Sequence, residues 1–139
     1  MTMKRVLMFA ALAGLAGCFP NTFRTGPVPG TDANQELALP LGETRTLDEQ
    51  RFAVSFGRVM EDSRCPTGAQ CVSAGNAHLA LVLQERGEAT RTVQLNTHTD
   101  PRVVRHEGYR VEVVGLDPLP AAGQPAPENY VVRLRITRG

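Results

Sequence analysis

Apolar and polar residues alternate with a period of two through most of the chain after residue 35. This alternation puts successive side chains on opposite faces of an extended segment, so each run predicts a β-strand with one apolar face. The apolar positions fall in six runs: Leu37–Leu41, Phe52–Phe56, Ala77–Leu83, Val93–Leu95, Tyr109–Val113 and Tyr130–Ile136. No long stripe with the 3.6-residue period of a helix competes with them. The sequence therefore predicts an all-β protein.

Turn-forming residues separate these runs at intervals typical of antiparallel sheets. They include Gly42, Arg86–Glu88, Asp100–Pro101 and Glu107–Gly108. Strands with one apolar face must bury those faces against each other. We therefore predict one domain over 35–139, a small antiparallel β-sandwich or flattened barrel of about six to seven strands.

Two departures from the regular alternation carry further predictions. The period slips between Phe56 and Val59, beside Gly57, which indicates a β-bulge. The segment Pro118–Pro127 contains too many prolines for a core strand. It is predicted to be a long exposed loop that joins the last two strands.

The beginning of the chain has the features of an export signal. Lys4 and Arg5 precede the mostly apolar run Val6–Ala16, and small residues stand before Cys18. The run is shorter than the roughly 20 residues that a membrane-spanning helix needs. The order Leu15-Ala16-Gly17-Cys18 resembles the lipobox of bacterial lipoproteins.

This resemblance implies that the signal, 1–17, is removed and that Cys18 becomes the first residue, carrying acyl chains such as palmitate. Several acyl chains hold a protein on a membrane surface. Phe19, where an Asp would favour the inner membrane, makes outer-membrane placement the preferred expectation. The segment 18–34 is rich in Pro and Gly and is predicted to be a flexible tether. The alternative is an ordinary secretory signal, which would leave Cys18 as an unpaired thiol.

Composition narrows the class of protein. Without its first 17 residues the chain has 122 residues with 13 basic and 14 acidic side chains, a net charge of about −1 without the His residues. Near-neutrality argues against a general nucleic-acid binder, which needs a concentrated positive field. With Cys18 assigned to lipid, Cys65 and Cys71 form an even pair outside the cytoplasm. Turn formers between them favour one disulfide.

The residues around this pair form the most distinctive motif. Its parts are Glu61-Asp62-Ser63-Arg64-Cys65-Pro66, Gly68, Gln70-Cys71-Val72 and Ala74-Gly75-Asn76-Ala77. The motif resembles one in small uncharacterised bacterial envelope proteins, which commonly carry Trp where this chain has Ser73. Asp62 and Arg64 lie two apart on an extended segment, so they are predicted to brace each other and the turn backbone. The alternative is that Asp62, Ser63 and Arg64 form part of a binding site for an envelope ligand.

Other candidate sites are weaker. Cys65, Cys71 and His78 could offer two sulfurs and an imidazole to a soft metal, but a fourth ligand is missing. Ser63, His98 and Asp100 lack the context of a catalytic triad. The C-terminal half carries many arginines with interleaved acids, which predicts a mixed-charge sheet face more than a strip for anionic glycans or lipid headgroups.

We therefore predict a lipid-anchored envelope protein that is a non-enzymatic binding or structural module, with no catalytic residues, metal or other cofactor. Its expected partners are the membrane, through Cys18, and an envelope protein or glycan. One alternative is a metal-handling lipoprotein that uses Cys65, Cys71 and His78. The other is a small peptidase inhibitor that inserts the segment Pro118–Pro127 into an active-site cleft.

Overall fold

The computed structural model describes residues 34–139, so the predicted signal, Cys18 and all of the predicted tether except its last residue lie outside the described residues. The described part contains eight β-strands and no helix. The strands are β1 (Asn34–Pro40), β2 (Thr44–Leu47), β3 (Phe52–Asp62), β4 (Ala77–Glu85), β5 (Arg91–Asn96), β6 (Val103–His106), β7 (Tyr109–Asp117) and β8 (Val131–Arg138).

The strands form two antiparallel sheets of four strands each. One sheet has the order β1-β8-β7-β6 and the other the order β2-β3-β4-β5. Their apolar faces are buried against each other in a single core that draws on both sheets. The fully buried side chains include Phe52, Phe56, Leu79, Leu81, Leu134 and Ile136. The prediction of an all-β, sandwich-like fold with one disulfide is confirmed.

The structure adds two short strands, β2 and β6, to the six that the alternation predicts. Each has four residues and lies at the edge of its sheet. Each buries a single side chain, Leu47 in β2 and His106 in β6. A strand that buries one side chain shows no repeating pattern, and this is why the sequence did not reveal these two.

The predicted bulge at Gly57 is confirmed. Phe56 pairs with Leu81 and Arg58 with Ala80, so Gly57 is the extra residue. A second irregularity lies between Val59 and Glu61. With these two irregularities, β3 pairs with β4 as far as Asp62, whereas it pairs with β2 only over Phe52–Ser55.

The two ends of the sandwich differ. At one end, which we call the entry end, β1 begins with Asn34 opposite Thr137 of β8. At the other, which we call the loop end, lie the three longest connections, 63–76, 97–102 and 118–130. The predicted loop Pro118–Pro127 is part of the last of these, and most of its residues are exposed.

The turn between β2 and β3, at the entry end, has an unusual backbone. Asp48, Glu49 and Gln50 have φ angles of 50°, 53° and 67°, a left-handed conformation that costs roughly 1–2 kcal/mol per residue. The Tyr109 hydroxyl and an Arg138 Nη1 each donate to Asp48 Oδ2 at 2.5 Å. Burial, followed by the hydrogen bond to Asp48, raises the pKa of Tyr109 to about 12. These contacts hold the turn against the opposite sheet.

Candidate functional site

Asp62 and Arg64, the centre of the sequence motif, form a buried ion pair. The Arg64 guanidinium donates from Nε to Asp62 Oδ1 at 2.8 Å and from Nη2 to Oδ2 at 2.7 Å. The two side chains are only 3% and 6% exposed. The main-chain N–H of Arg64 also donates to Asp62 Oδ1, at 3.2 Å. The contact predicted from their spacing is thus present, with two-point geometry.

The same pair reaches across to the other sheet. Arg64 donates from Nη1 to the carbonyl oxygen of Leu116, at the end of β7, and from Nη2 to that of Pro118 at 2.8 Å. The Tyr130 hydroxyl, just before β8, donates to Asp62 Oδ2 at 3.0 Å. We refer to Asp62, Arg64 and Tyr130 as the brace. It ties the end of β3 in one sheet to β7 and β8 in the other.

The brace sets the protonation of its own members. Burial raises the pKa of Asp62, but hydrogen bonds from the Arg64 side chain and main chain and from Tyr130 outweigh burial and hold that pKa below its usual value. Burial and the hydrogen bond to the Asp62 carboxylate raise the pKa of Tyr130. Asp62 is therefore ionised and Tyr130 neutral at neutral pH, which is the state in which all these hydrogen bonds form.

The lowered pKa of Asp62 predicts an acid-sensitive part of the stability. A carboxyl whose folded pKa is depressed stabilises the fold above its unfolded pKa of about 3.9, and this stabilisation is lost as the pH falls through the folded value. We expect the wild-type free energy of unfolding, measured in urea, to fall more between pH 6 and about pH 3 than that of an Asp62→Asn, Arg64→Met double variant. Equal losses would show that Asp62 contributes nothing to the acid response.

A covalent bond and a short ladder shape the loop that follows. Cys65 and Cys71 form a disulfide, with their Cα atoms 5.8 Å apart. Outside it, the main-chain N–H of Ser63 donates to Asn76 at 2.8 Å and that of Cys65 to Ala74 at 2.9 Å. The loop 63–76 is therefore a hairpin with a disulfide-closed tip, as the turn formers between the cysteines predicted.

The tip of this hairpin pairs with the proline-rich loop. Thr67 and Ala121 form a parallel bridge. The Thr67 N–H donates to Pro120 O at 2.7 Å, and the Ala122 N–H donates to Thr67 O at 3.1 Å. Together with the brace, this bridge makes the two loops one structural unit.

Removing the disulfide tests how far this unit depends on it. For a closed loop of seven residues the chain-entropy relation gives about 2.4 kcal/mol of stabilisation, so Cys65→Ser with Cys71→Ser is expected to lower the free energy of unfolding by about that amount. Amide exchange at Thr67 and Ala122 should speed up in the same variant, because their bridge loses its support. Exchange at a core amide of β4 serves as the reference for global opening. Unchanged exchange at Thr67 would mean that the bridge holds without the disulfide.

A third loop is held by Asn76. Asn76 Oδ1 accepts from the main-chain N–H groups of His98 and Thr99 at 3.0 and 3.3 Å. The Ser63 hydroxyl donates to Asn76 O at 2.9 Å, and His98 Nδ1 lies 3.0 Å from the Thr97 hydroxyl. Ser63 and His98 are thus brought to the same residue, yet within the described chain no hydrogen bond joins them. The Ser63 hydroxyl is occupied by the main chain.

The candidate metal ligands do not form a cluster. Both cysteines are in the disulfide, and a bridged pair offers no thiolate. Within residues 34–139 no group of three His, Cys, Asp or Glu side chains could hold a metal ion. His78 lies in β4 opposite Glu61 of β3.

The loop end also carries exposed apolar side chains, and the sequence did not predict their exposure. Within residues 34–139 the large apolar side chains that stand exposed are Met60 at 37%, Val72 at 109% and Leu119 at 49%. They lie on β3 near its end, on the disulfide hairpin and on the proline-rich loop. Val72 and Leu119 fall outside every alternating run. Their exposure could have been predicted from this, because an apolar side chain in a predicted loop does not face the core.

Several arginines of β7 and β8 have acidic neighbours. Arg110 contacts Glu112 at 2.8 Å, and Arg133 contacts Asp117 at 2.9 Å. Arg135 pairs with both Glu112 and Glu36. These contacts match the predicted mixed-charge face.

Comparison of the chain with known protein families, with curated proteins and with solved structures finds no match. The resemblance of the Glu61–Ala77 motif to small envelope proteins therefore stays a prediction. In the described residues there is no helix of the length and apolarity needed to cross a bilayer.

Proposed function

We propose that this protein is a lipid-anchored module of the bacterial envelope that binds a partner through its loop end and catalyses no reaction. The observation that carries the proposal is that Met60, Val72 and Leu119, the large apolar side chains that stand exposed in residues 34–139, all lie on elements of the loop end. Contiguous exposed apolar surface marks interaction sites, and we infer that these side chains contribute to such a surface.

The rigidity of this end supports a binding role. The brace, the disulfide and the Thr67–Ala121 bridge fix the hairpin and the proline-rich loop to the core and to each other. Loops that are ordered before binding lose less conformational entropy when a partner docks, so more of the contact energy appears as affinity. Loops that only connect strands do not need a buried ion pair with four further hydrogen bonds, so the brace supports a role for this end beyond connection.

The direction in which the chain enters the fold fits the same role. β1 starts at the entry end and its seven residues run toward the loop end, a rise of about 23 Å. With Cys18 lipidated, as we propose, the tether joins the domain at the end far from the loops. A flexible segment of its length spans roughly 20–25 Å. The loop end would then face away from the membrane, where a partner can reach it.

Site-specific photocrosslinking in native envelopes tests the binding role. A photoreactive residue at Val72 or Leu119 should give a discrete crosslinked product with another envelope component. The same residue at Gln50, which is exposed at the entry end, is the matched control. Equal products from both ends, or none from the loop end, would contradict the proposal.

Mass spectrometry of the native mature protein tests the anchor. We expect a first residue Cys18 that carries acyl chains, and a Cys18→Ser variant that leaves the membrane fraction. Separation of the two membranes by density should place the wild type in the outer one. An intact leader on a soluble protein would overturn the lipid anchor.

One observation favours peptidase inhibition as a second candidate. Leu119 is 49% exposed and follows Pro118, whose carbonyl accepts from Arg64, and precedes Pro120, whose carbonyl accepts from Thr67. A side chain presented by a fixed backbone is suited to an apolar specificity pocket. Inhibition of an endopeptidase that prefers Leu, lost in Leu119→Gly and kept in Gln124→Gly on the same loop, would support this function. A lack of inhibition by the wild type would exclude it for that class.

A further inference from the structure

The outer edge of β3 is open over its last six residues. β2 pairs only with Phe52–Ser55, and the turn before β2 covers Phe56 through two hydrogen bonds with Gly42 and Glu43. From Gly57 to Asp62, β3 is paired with β4 on one side, and no strand of the described chain lies on the other. The residues Gly57–Glu61 are exposed except for the half-buried Val59. Part of the edge is therefore free to accept hydrogen bonds from another extended chain.

A cleft of about 350 Å³ runs beside this edge. Its other wall is the end of the proline-rich loop, with the brace residue Tyr130 next to it. The apolar side chains that line it are Leu41, Val59, Met60, Ala126, Pro127 and Tyr130. Its size is within the usual range for ligand pockets, and its lining suits apolar side chains.

Two charges flank the apolar lining without partners of their own. Arg58 and Glu61 both line the cleft and are exposed. Neither forms an ion pair with any residue of 34–139. Charges on an open edge discourage indiscriminate strand pairing. They also favour a partner with an acidic group facing Arg58 and a basic group facing Glu61.

We propose that β3 and this cleft bind an extended peptide segment of a partner protein, which adds as a strand to the free edge and places apolar side chains in the cleft. The inference rests on the proposed binding role and names the kind of partner. Free main-chain donors and acceptors in a row are matched by another extended backbone, and an adjoining pocket selects alternate side chains. The charges at Arg58 and Glu61 set the register and direction of the added strand.

Peptide binding to the purified mature protein tests this. The probes are two labelled peptides of alternating Val and Thr, one with Lys two positions ahead of Glu and the other with Glu two positions ahead of Lys. Two is the spacing of Ala80 and His78, which lie opposite Arg58 and Glu61 in the regular strand β4. The first order matches an antiparallel strand and the second a parallel one. We expect one of them to bind about tenfold tighter than the other by fluorescence anisotropy. In an added strand, the main-chain N–H groups of every second residue point toward β3. N-methylation of those residues should abolish binding, whereas N-methylation of the residues between them should leave binding unchanged.

Two variants localise the binding. Ala126→Trp should fill the cleft and weaken binding by about tenfold or more, whereas Gln124→Trp, on the same loop outside the cleft, should leave it unchanged. Equal unfolding midpoints for both variants show that the fold is intact. Exchanging the charges, with Arg58→Glu and Glu61→Arg, should reverse the preference between the two peptides.

Three results would overturn the inference. The first is a lack of binding by either peptide, and the second is insensitivity to the phase of N-methylation. The third is a dimer in sedimentation that Ala126→Trp dissociates, since a second copy would then be the occupant. If crosslinking at Val72 or Leu119 still captures an envelope component while the peptides fail, the strand-addition inference is wrong and the proposed function stands. If both fail, the proposed function is wrong as well.

Discussion

Replacing Arg64 by Met is expected to lower the free energy of unfolding by about 3–5 kcal/mol, the range for breaking a buried ion pair by removing one partner. The substitution keeps the apolar stem and removes the guanidinium. The Asp62 carboxylate then stays buried with only Tyr130 and the main chain as donors, and the carbonyls of Leu116 and Pro118 lose their donor. An uncompensated buried charge is the main cost.

Two further variants serve as controls for the Arg64→Met measurement. Adding Asp62→Asn to Arg64→Met removes the stranded charge, so part of the lost stability should return. Arg133→Met breaks the exposed pair with Asp117, whose side chains are 49% and 58% exposed, and should cost about 1 kcal/mol or less. Urea unfolding at neutral pH measures all three. A loss at Arg64 no larger than that at Arg133 would mean that the brace does not stabilise the fold.

Gly75→Ala is the second substitution with a large expected effect. Gly75 has φ of +69°, and a Cβ there would lie 2.0 Å from the main-chain oxygen of Ser63. Neither backbone can move without opening the Ser63–Asn76 and Cys65–Ala74 hydrogen bonds of the hairpin. Left-handed strain of roughly 1–2 kcal/mol and the loss of two hydrogen bonds sum to about 3 kcal/mol.

Gly68 provides a matched control inside the same hairpin. Its φ is +87°, and a Cβ there would have nothing within 4 Å. Gly68→Ala should therefore cost only the conformational strain, about 1–2 kcal/mol. Thermal unfolding and amide exchange at Thr67 are measured for both variants. The difference between them gives the effect of the clash at Gly75, because the left-handed strain is common to both. Equal destabilisation of the two variants would contradict a close approach of Gly75 to Ser63.

The alternation of apolar residues predicted the architecture because nearly every core side chain comes from a strand with a repeating pattern. Val132, Leu134 and Ile136 are all buried while the residues between them face out. The pattern does not reveal edge strands such as β6, which bury too few side chains to repeat. It does place a bulge where the phase slips, as at Gly57.

Contacts in the candidate site could be predicted only between residues that are close in the sequence. The contact between Asp62 and Arg64 follows from a spacing of two on an extended segment. Their further partners, Leu116, Pro118 and Tyr130, are more than fifty residues away in the chain. No local pattern links residues at such separation, because their meeting depends on how the two sheets stack. The open edge of β3 was hidden for the same reason, since it depends on where β2 stops.

The pairing of β1 with β8 has a mechanical consequence for a tethered domain. Asn34 opposite Thr137 and Pro40 opposite Val131 make this an antiparallel ladder along the full length of β1. In the proposed arrangement, a pull between the membrane and a partner held at the loop end runs parallel to β1. A force in this direction loads all the hydrogen bonds between β1 and β8 at the same time, so they do not break one after another. The protein should therefore resist a pull on Asn34 along β1 far better than a pull directed across β1, which would break the same hydrogen bonds one at a time.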